Sequence, residues 1–322
     1  MKTILETLDG GTQWLEKKGI EDARRNMQLL ICHQLDCSKI QLYTRFDETL
    51  DEEDLIPLRE KLKLRGEGTP LQHLLGTVEF LRREFKTDGR ALIPRPETEE
   101  LVELSLELAN EALSTREKLT SKENLPPENE ESNNLTENTD IEYVEPEKEN
   151  APVYKILDMG CGSGVIGTSM AAELGMRAEV TCADISEEAL SLAKENKDIL
   201  GIKNVTFLGS NLFSNIEERY DLVIANLPYV PETDRSSLAP ELAHDPDLAL
   251  YSGEDGLDLI KLFVTELPNY LNDNAIVTME IGIHQNEHVE KLLKHAGFTD
   301  ISTKKDISGI SRFPTARFQT KH

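Results

Sequence analysis

Lys155-Ile156-Leu157-Asp158-Met159-Gly160-Cys161-Gly162-Ser163-Gly164 is the stretch on which the fold turns. Lys155–Met159 reads as a strand, and Val165–Leu174 reads as the helix that follows it. Between them the glycines let the backbone turn sharply and let a ligand approach with no Cβ in the way. The N-terminus of the helix adds free N–H groups to the same turn.

Outward from this element, strands and helices alternate to the end of the chain. Strands are expected at Glu179–Asp184, Val205–Leu208, Asp221–Ala225, Ala275–Ile281 and Thr299–Lys305, with a last one near Phe313–Gln319. Helices are expected at Glu187–Leu200, Leu257–Tyr270 and Gln285–Ala296. Such βα units imply a mainly parallel sheet covered on both faces, with ligands beyond the carboxyl ends of the strands. The second strand ends at Asp184, twenty residues past Gly164, where a carboxylate can accept hydrogen bonds from both hydroxyls of a ribose. These features alone are ambiguous. Gly162-Ser163-Gly164-Val165-Ile166-Gly167 also matches the dinucleotide fingerprint, which likewise asks for an acid about twenty residues on. A tight strand-to-helix turn with no ligand is the plainest alternative.

Two features favour S-adenosylmethionine. Asp158 precedes the glycines, where it could hold the loop or meet the cationic methionine end of that cofactor. The fourth strand, Asp221-Leu222-Val223-Ile224-Ala225, delivers Asn226-Leu227-Pro228-Tyr229 to the ligand side of the sheet. That tetrapeptide suits methyl transfer to a planar nitrogen. The lone pair of an amide or an exocyclic amine is delocalised, so the nitrogen is a weak nucleophile and must be held and aimed. The Asn226 side-chain oxygen and the Leu227 carbonyl can accept its N–H bonds and favour the positive charge that develops on it. Tyr229 can stack on a flat acceptor group. Positioning carries most of the rate in such a displacement, and no strong general base is required.

The rest of the chain bounds the reading. Residues 1–76 pattern as a small helical domain, with helical spacing in Ile4–Leu8–Trp14–Leu15, Met27–Leu30–Ile31 and Leu55–Leu58–Leu62. Residues 77–113 read as a β-hairpin over Val78–Thr87 and a connecting helix over Glu97–Leu113, opened by Pro94 and Pro96. Residues 114–151 hold eleven acids against four bases, with Pro126-Pro127 and few large apolar residues, and are expected to be a disordered insertion. Residues 152–322 then form the catalytic domain. A net charge of −25 argues against a protein that coats nucleic acid. No run of ~18 apolar residues occurs, so no membrane span is expected. The four cysteines form no CxxC pair and no metal set. Met1–Gly10 lacks a targeting signal, and a cytoplasmic protein is expected.

With these residues in view, the sequence resembles the release factor glutamine methyltransferases, the HemK/PrmC family. Asn226-Leu227-Pro228-Tyr229 is similar to that family's Asn-Pro-Pro-Tyr. Leu92-Ile93-Pro94-Arg95-Pro96-Glu97-Thr98-Glu99 looks like its signature ahead of the catalytic domain. Gly68 to Gly76 with Glu79-Phe80, and Leu248-Ala249-Leu250 with Gly253 to Leu257, resemble two further elements, so the resemblance covers nearly the whole chain except 114–151. It implies a Rossmann-like, seven-stranded methyltransferase domain of the α/β class behind a small helical substrate-recognition domain. It implies S-adenosyl-L-methionine as cofactor and the glutamine of the Gly-Gly-Gln loop of class I peptide chain release factors as acceptor. Carried over by position, Gly160, Cys161, Gly162, Ser163 and Gly164 would contact the cofactor, Asp184 its ribose and Leu212 its adenine. Asn226, the catalytic amide, would touch both ligands, and Asn226, Leu227, Pro228 and Tyr229 would hold the glutamine. A monomer that binds no nucleic acid is expected.

Three departures stand out: Leu227 in place of Pro, Asn211-Leu212 in place of Asp with an aromatic, and the acidic insertion. Leu227 keeps a carbonyl but gives up one fixed φ angle. It also matches the adenine-nitrogen methyltransferases of ribosomal RNA, the first rival reading. The second rival is a non-catalytic S-adenosylmethionine-binding protein whose acidic segment serves as a partner tail.

Overall fold

Thr3 and Glu6 close a capping box at the start of α1 (Ile4–Lys17), and Ser38 and Gln41 do the same for α3 (Lys39–Thr44). Between them lies α2 (Ala23–Gln34), and α4 (Glu52–Gly66) and α5 (Leu71–Leu75) complete the N-terminal helices. The short strands β1 (Lys2–Thr3) and β2 (Thr49–Leu50) pair antiparallel and tie the beginning of α1 to the beginning of α4. The apolar spacing read in the sequence faces inward: Ile4, Leu8, Leu15, Met27, Leu30, Ile31, Leu55 and Leu58 share one core. In this computed structural model the described residues are 2–123, 153–237 and 240–320.

A hairpin of β3 (Thr77–Phe80) and β4 (Arg83–Lys86) follows, with Phe80 and Phe85 buried edge to face. It is pinned to α8 (Glu187–Leu200), because the Asn196 side chain bonds both the N–H and the carbonyl of Lys86, at 2.7 and 3.1 Å. The connecting helix α6 (Pro96–Glu123) starts where Pro94 and Pro96 place it, but it does not stop at Leu113. Residues 114–123, expected to be part of the disordered insertion, are helical. Arg116 is the physical reason: its guanidinium meets both carboxylate oxygens of Asp221, at 2.5 and 3.2 Å, and lies 4.9 Å from the Tyr154 ring centre. A tertiary anchor of this kind is hidden in an average over composition. Residues 124–151 of the expected insertion lie outside the described residues.

The sheet comprises β5 (Tyr154–Met159), β6 (Ala178–Asp184), β7 (Val205–Gly209), β8 (Tyr220–Ala225), β9 (Leu271–Met279), β10 (Thr299–Lys305) and β11 (Ser311–Arg317). Its order is β10-β11-β9-β8-β5-β6-β7, with β5 to β9 parallel and β11 antiparallel to both neighbours. β9 begins at Leu271, earlier than the apolar run suggests, because Leu271 pairs with Tyr220 across a register shift. Two cores sandwich the sheet, and strand alternation assigns side chains to them. Ile156, Leu222 and Ile224 point toward α6 and α7 (Val165–Leu174). Leu157, Val223 and Ala225 point toward α9 (Asp258–Glu266) and α10 (Asn286–His295). From β5 the chain steps outward to β6 and β7, then crosses back to β8 and β9. The strand order therefore reverses between β5 and β8, which is where open α/β sheets bind ligands. Among the described residues no helix is long and apolar enough to cross a membrane.

Candidate active site

The switch point opens into a cavity of about 1100 Å³ including its mouth. One wall is the loop after β5, with Gly160, Cys161, Gly162 and Ser163 in its lining. Opposite it are Asn226, Leu227 and Pro228 from the end of β8. Asp184, Ser210, Asn211 and Leu212 close the side, Arg95 reaches in from the strap that leads into α6, and Thr98 from its first turn.

The glycine wall is held by backbone hydrogen bonds. The N–H groups of Gly160 and Cys161 both donate to the Ala183 carbonyl, at 2.8 and 3.1 Å. Asp184 Oδ2 accepts from the Gly162 N–H at 2.8 Å and Oδ1 from the Ser186 N–H at 2.9 Å, so one carboxylate braces the loop and faces the cavity. Burial nevertheless pushes its pKa upward. Gly160 sits at φ +73, and a Cβ there would come within 2.9 Å of the Leu227 side chain. Leu227 is buried against this turn, so the residue that departs from the family pattern packs the two walls together. Gly164 is placed differently: it is not in the lining, and a Cβ on it would meet Ala193 of α8 at 2.8 Å. Together with Gly167, where a Cβ would press on Cys182 and Asp158, it allows close helix packing, which accounts for the dinucleotide-like spacing. Asp158 lies wholly inside, where Oδ2 accepts from the Gly167 N–H at 2.8 Å. The carboxylate therefore ties the end of β5 to α7, and burial raises its pKa to about 7. Leu212 stands in the wall at φ +46, its carbonyl accepting from Ser210 Oγ at 2.6 Å.

The opposite wall is held by side chains. Glu280, one residue past β9, is only 2% exposed, and its N–H donates to the Ala225 carbonyl at 2.9 Å, which seats it beside Asn226. Glu280 Oε2 accepts from Thr98 Oγ1 at 2.8 Å and from Asn226 Nδ2 at 3.2 Å. Asn226 Nδ2 also donates to Thr98 Oγ1 at 3.2 Å. Glu280 Oε1 accepts from the Tyr229 hydroxyl at 3.0 Å. Tyr229, expected to stack on the acceptor, is held by this bond and is not among the cavity's lining residues. Burial and the adjacent Glu280 carboxylate raise the Tyr229 phenol pKa, so it remains a donor.

Three residues without an assigned role in the sequence reading complete the frame. Thr98 and Glu280 form the network, and Asp245 anchors the loop that carries Pro246, Leu248 and Ala249 over the cavity. Asp245 accepts from the Ile93 N–H at 3.2 Å and pairs with Arg95 at 3.1 Å. Glu241 of the same loop pairs with Arg65 of α4 at 2.5 Å, which links the helical domain to the cavity's cover. The signal for Glu280 was its place, an acid directly after a buried apolar strand on the ligand side of a parallel sheet.

Comparison with known proteins agrees with this arrangement. A family model described as the PrmC N-terminal domain matches residues 6–76, and one described as a methyltransferase domain matches residues 151–300. The chain is 33% identical over 312 residues to a release factor glutamine methyltransferase of Geobacter sulfurreducens, covering 96% of this chain and 95% of that protein. It is 32% identical over 321 residues to one of Bacillus cereus, covering 98% of this chain and 99% of that protein. A third, of Deinococcus radiodurans, is 30% identical over 314 residues, covering 98% of each.

Proposed function

The chain belongs to the release factor glutamine methyltransferase family, and from that premise we propose that it methylates the side-chain amide nitrogen of a glutamine in peptide chain release factors, namely that of the Gly-Gly-Gln loop of the class I factors. The observation that supports this most directly is the meeting of the Gly160 loop and Asn226–Pro228 on opposite walls of one cavity. The residues present fit S-adenosylmethionine. Gly160 and Gly162 leave a cradle that side chains would fill, Asp184 offers a carboxylate to ribose hydroxyls, and Leu212 offers an apolar surface to a base. When bound, this cofactor supplies a methyl group on a positively charged sulfur.

The chain's own residues act by holding the acceptor. Asn226 Oδ1 and the Leu227 carbonyl take the N–H bonds of the glutamine amide, and Pro228 bounds its flat face. The order gained before reaction lowers the barrier, and the two oxygens favour the charge that arrives on nitrogen. A protein acceptor suits the wall better than RNA does. Its two cations are already committed, Arg90 to Asp88 and Glu195, and Arg95 to Asp245. We read the protein as a monomeric cytoplasmic enzyme that binds no nucleic acid, in keeping with its charge of −25.

Incubation with S-adenosylmethionine and a purified class I release factor, followed by mass spectrometry of the Gly-Gly-Gln peptide, tests the proposal. One methyl group on the glutamine is expected. An unmodified release factor beside methylated adenine in ribosomal RNA would replace this reading with its rival.

A further inference from the structure

We infer that Glu280 is a positioning residue for the transfer: with Thr98 it fixes the Asn226 amide with Oδ1 turned to the cavity, so that this side chain offers the substrate an acceptor and no donor. The inference rests on the proposed role of Asn226 as the residue that holds the glutamine amide.

An asparagine amide fills the same space in two orientations, and only its hydrogen bonds choose between them. Here the choice is forced. The single hydrogen of the Thr98 hydroxyl goes to Glu280 Oε2 at 2.8 Å, so toward Asn226 that hydroxyl can only accept. Burial pushes the Glu280 pKa upward while the hydrogen bonds from Thr98 and Tyr229 pull it back; as a carboxylate it can only accept as well, and both groups face Nδ2 at 3.2 Å. A reversed amide would set Oδ1 against a carboxylate oxygen and leave the NH2 hydrogens without these partners. Tyr229 gives Glu280 its third hydrogen bond, at 3.0 Å.

The carboxylate is costly where it stands. It is buried, and among the described residues it has no ion-pair partner within 4.0 Å; neutral donors hold it. The other charged groups that act on it are Arg312 of β11, which is paired with Asp306 at 2.9 Å, and Glu97 in the first turn of α6. An apolar side chain would suit the fold better there, so orientation of Asn226 is what the carboxylate contributes. Its charge also lies one side chain away from the nitrogen that becomes positive. Glutamate in place of the substrate glutamine would bring acceptors against an acceptor, so the wall selects an N–H-bearing amide.

The test is single-turnover methyl transfer to a purified class I release factor, with the release-factor concentration dependence, calorimetric cofactor affinity and melting temperature measured alongside. Glu280→Gln can donate where Glu280 only accepts, and so lets the Asn226 amide reverse. It is expected to lower the rate at saturation about 30-fold while half-saturating release factor and cofactor affinity stay within about threefold. Thr98→Val is expected to lower the rate about tenfold, with Thr98→Ser recovering most of it. This second pair decides the matter if Glu280→Gln folds poorly. A Glu280→Gln rate within threefold of wild type, beside an inactive Asn226→Ala, overturns this inference alone. A wild-type rate in Asn226→Ala removes the role of Asn226 and this inference with it. Losses that merely track melting temperature, or equal losses in Thr98→Val and Thr98→Ser, also overturn it.

Discussion

On the Gly160 side of the cavity the wall is backbone drawn from one short run of sequence, whereas on the Asn226 side it is a set of side chains gathered from three segments. The links that hold the first wall join it to the end of β6 and are short in sequence, with Asp184 to Gly162 spanning 22 positions. On the second, Thr98 to Asn226 spans 128 and Thr98 to Glu280 spans 182. Backbone N–H groups and turns provide a shape and a set of donors that few side-chain substitutions can erase. Side chains aimed by other side chains provide an exact orientation that one substitution can lose. The first construction suits affinity for a cofactor, and the second suits the alignment of a weak nucleophile.

The comparison predicts where each substitution will be felt, and the largest effect belongs to Asn226. Asn226→Ala should lower the single-turnover rate by ~10²–10³, by analogy with the loss of one preorganised hydrogen-bonding group. Its melting temperature should stay close to wild type, since Thr98 and Glu280 keep their own hydrogen bond. Transfer within threefold of wild type would mean that the second wall does not hold the acceptor.

Asp184→Ala should act in the opposite sense. It removes the proposed ribose acceptor and frees the Gly162 N–H, so S-adenosylmethionine binding should weaken by ~2–3 kcal/mol in calorimetry. At saturating cofactor the rate should fall only a few-fold. A collapse of the saturated rate comparable to that of Asn226→Ala would erase the distinction between the walls.

Asp158 sharpens the comparison through pH. Its pKa is raised from 3.8 to about 7 by burial, so the folded state favours the protonated form. The resulting stability is fully present below the unfolded value and is lost as pH rises through about 7. Asp158→Asn mimics the protonated side chain. The mutant should therefore gain on wild type between pH 5.5 and pH 8, by on the order of 1–3 kcal/mol, read as a difference in melting temperature. A difference that stays flat with pH would show that Asp158 does not titrate in that window.

The smallest effect is expected from removal of residues 126–148, whose acidic, proline-containing composition offers little to a core. Melting temperature should move by about one degree or less, and transfer should stay within about twofold. Loss of transfer at unchanged melting temperature would give the segment a part in bringing the release factor to the site.

The sequence exposed the parallel strands, the glycine turn, Asp184 and the Asn226 tetrapeptide because each is a local pattern with a local cause. Apolar runs become buried strands, and glycines are needed where a Cβ would collide, as at Gly160 against Leu227. It grouped Gly164 with the cofactor loop, whereas this glycine stands outside the cavity lining and against α8, and it ended α6 too soon, because Arg116 draws its order from Asp221 in a distant strand. Tyr229 was read as a ring to stack on a flat acceptor, but the bond of its hydroxyl to Glu280 was not legible.

What the chain determined by itself was therefore the order of its elements and the end of the sheet at which the cavity opens, since hydrophobic period and turn chemistry act over a few residues. What only the tertiary structure decided was which way the Asn226 amide faces. That depends on Thr98 and Glu280 arriving at one point from the start of α6 and the end of β9. In sequence each is one more threonine or glutamate. Burial next to each other, with the parallel register of β8 and β9 fixing the distance, turns them into a device that orients a third residue.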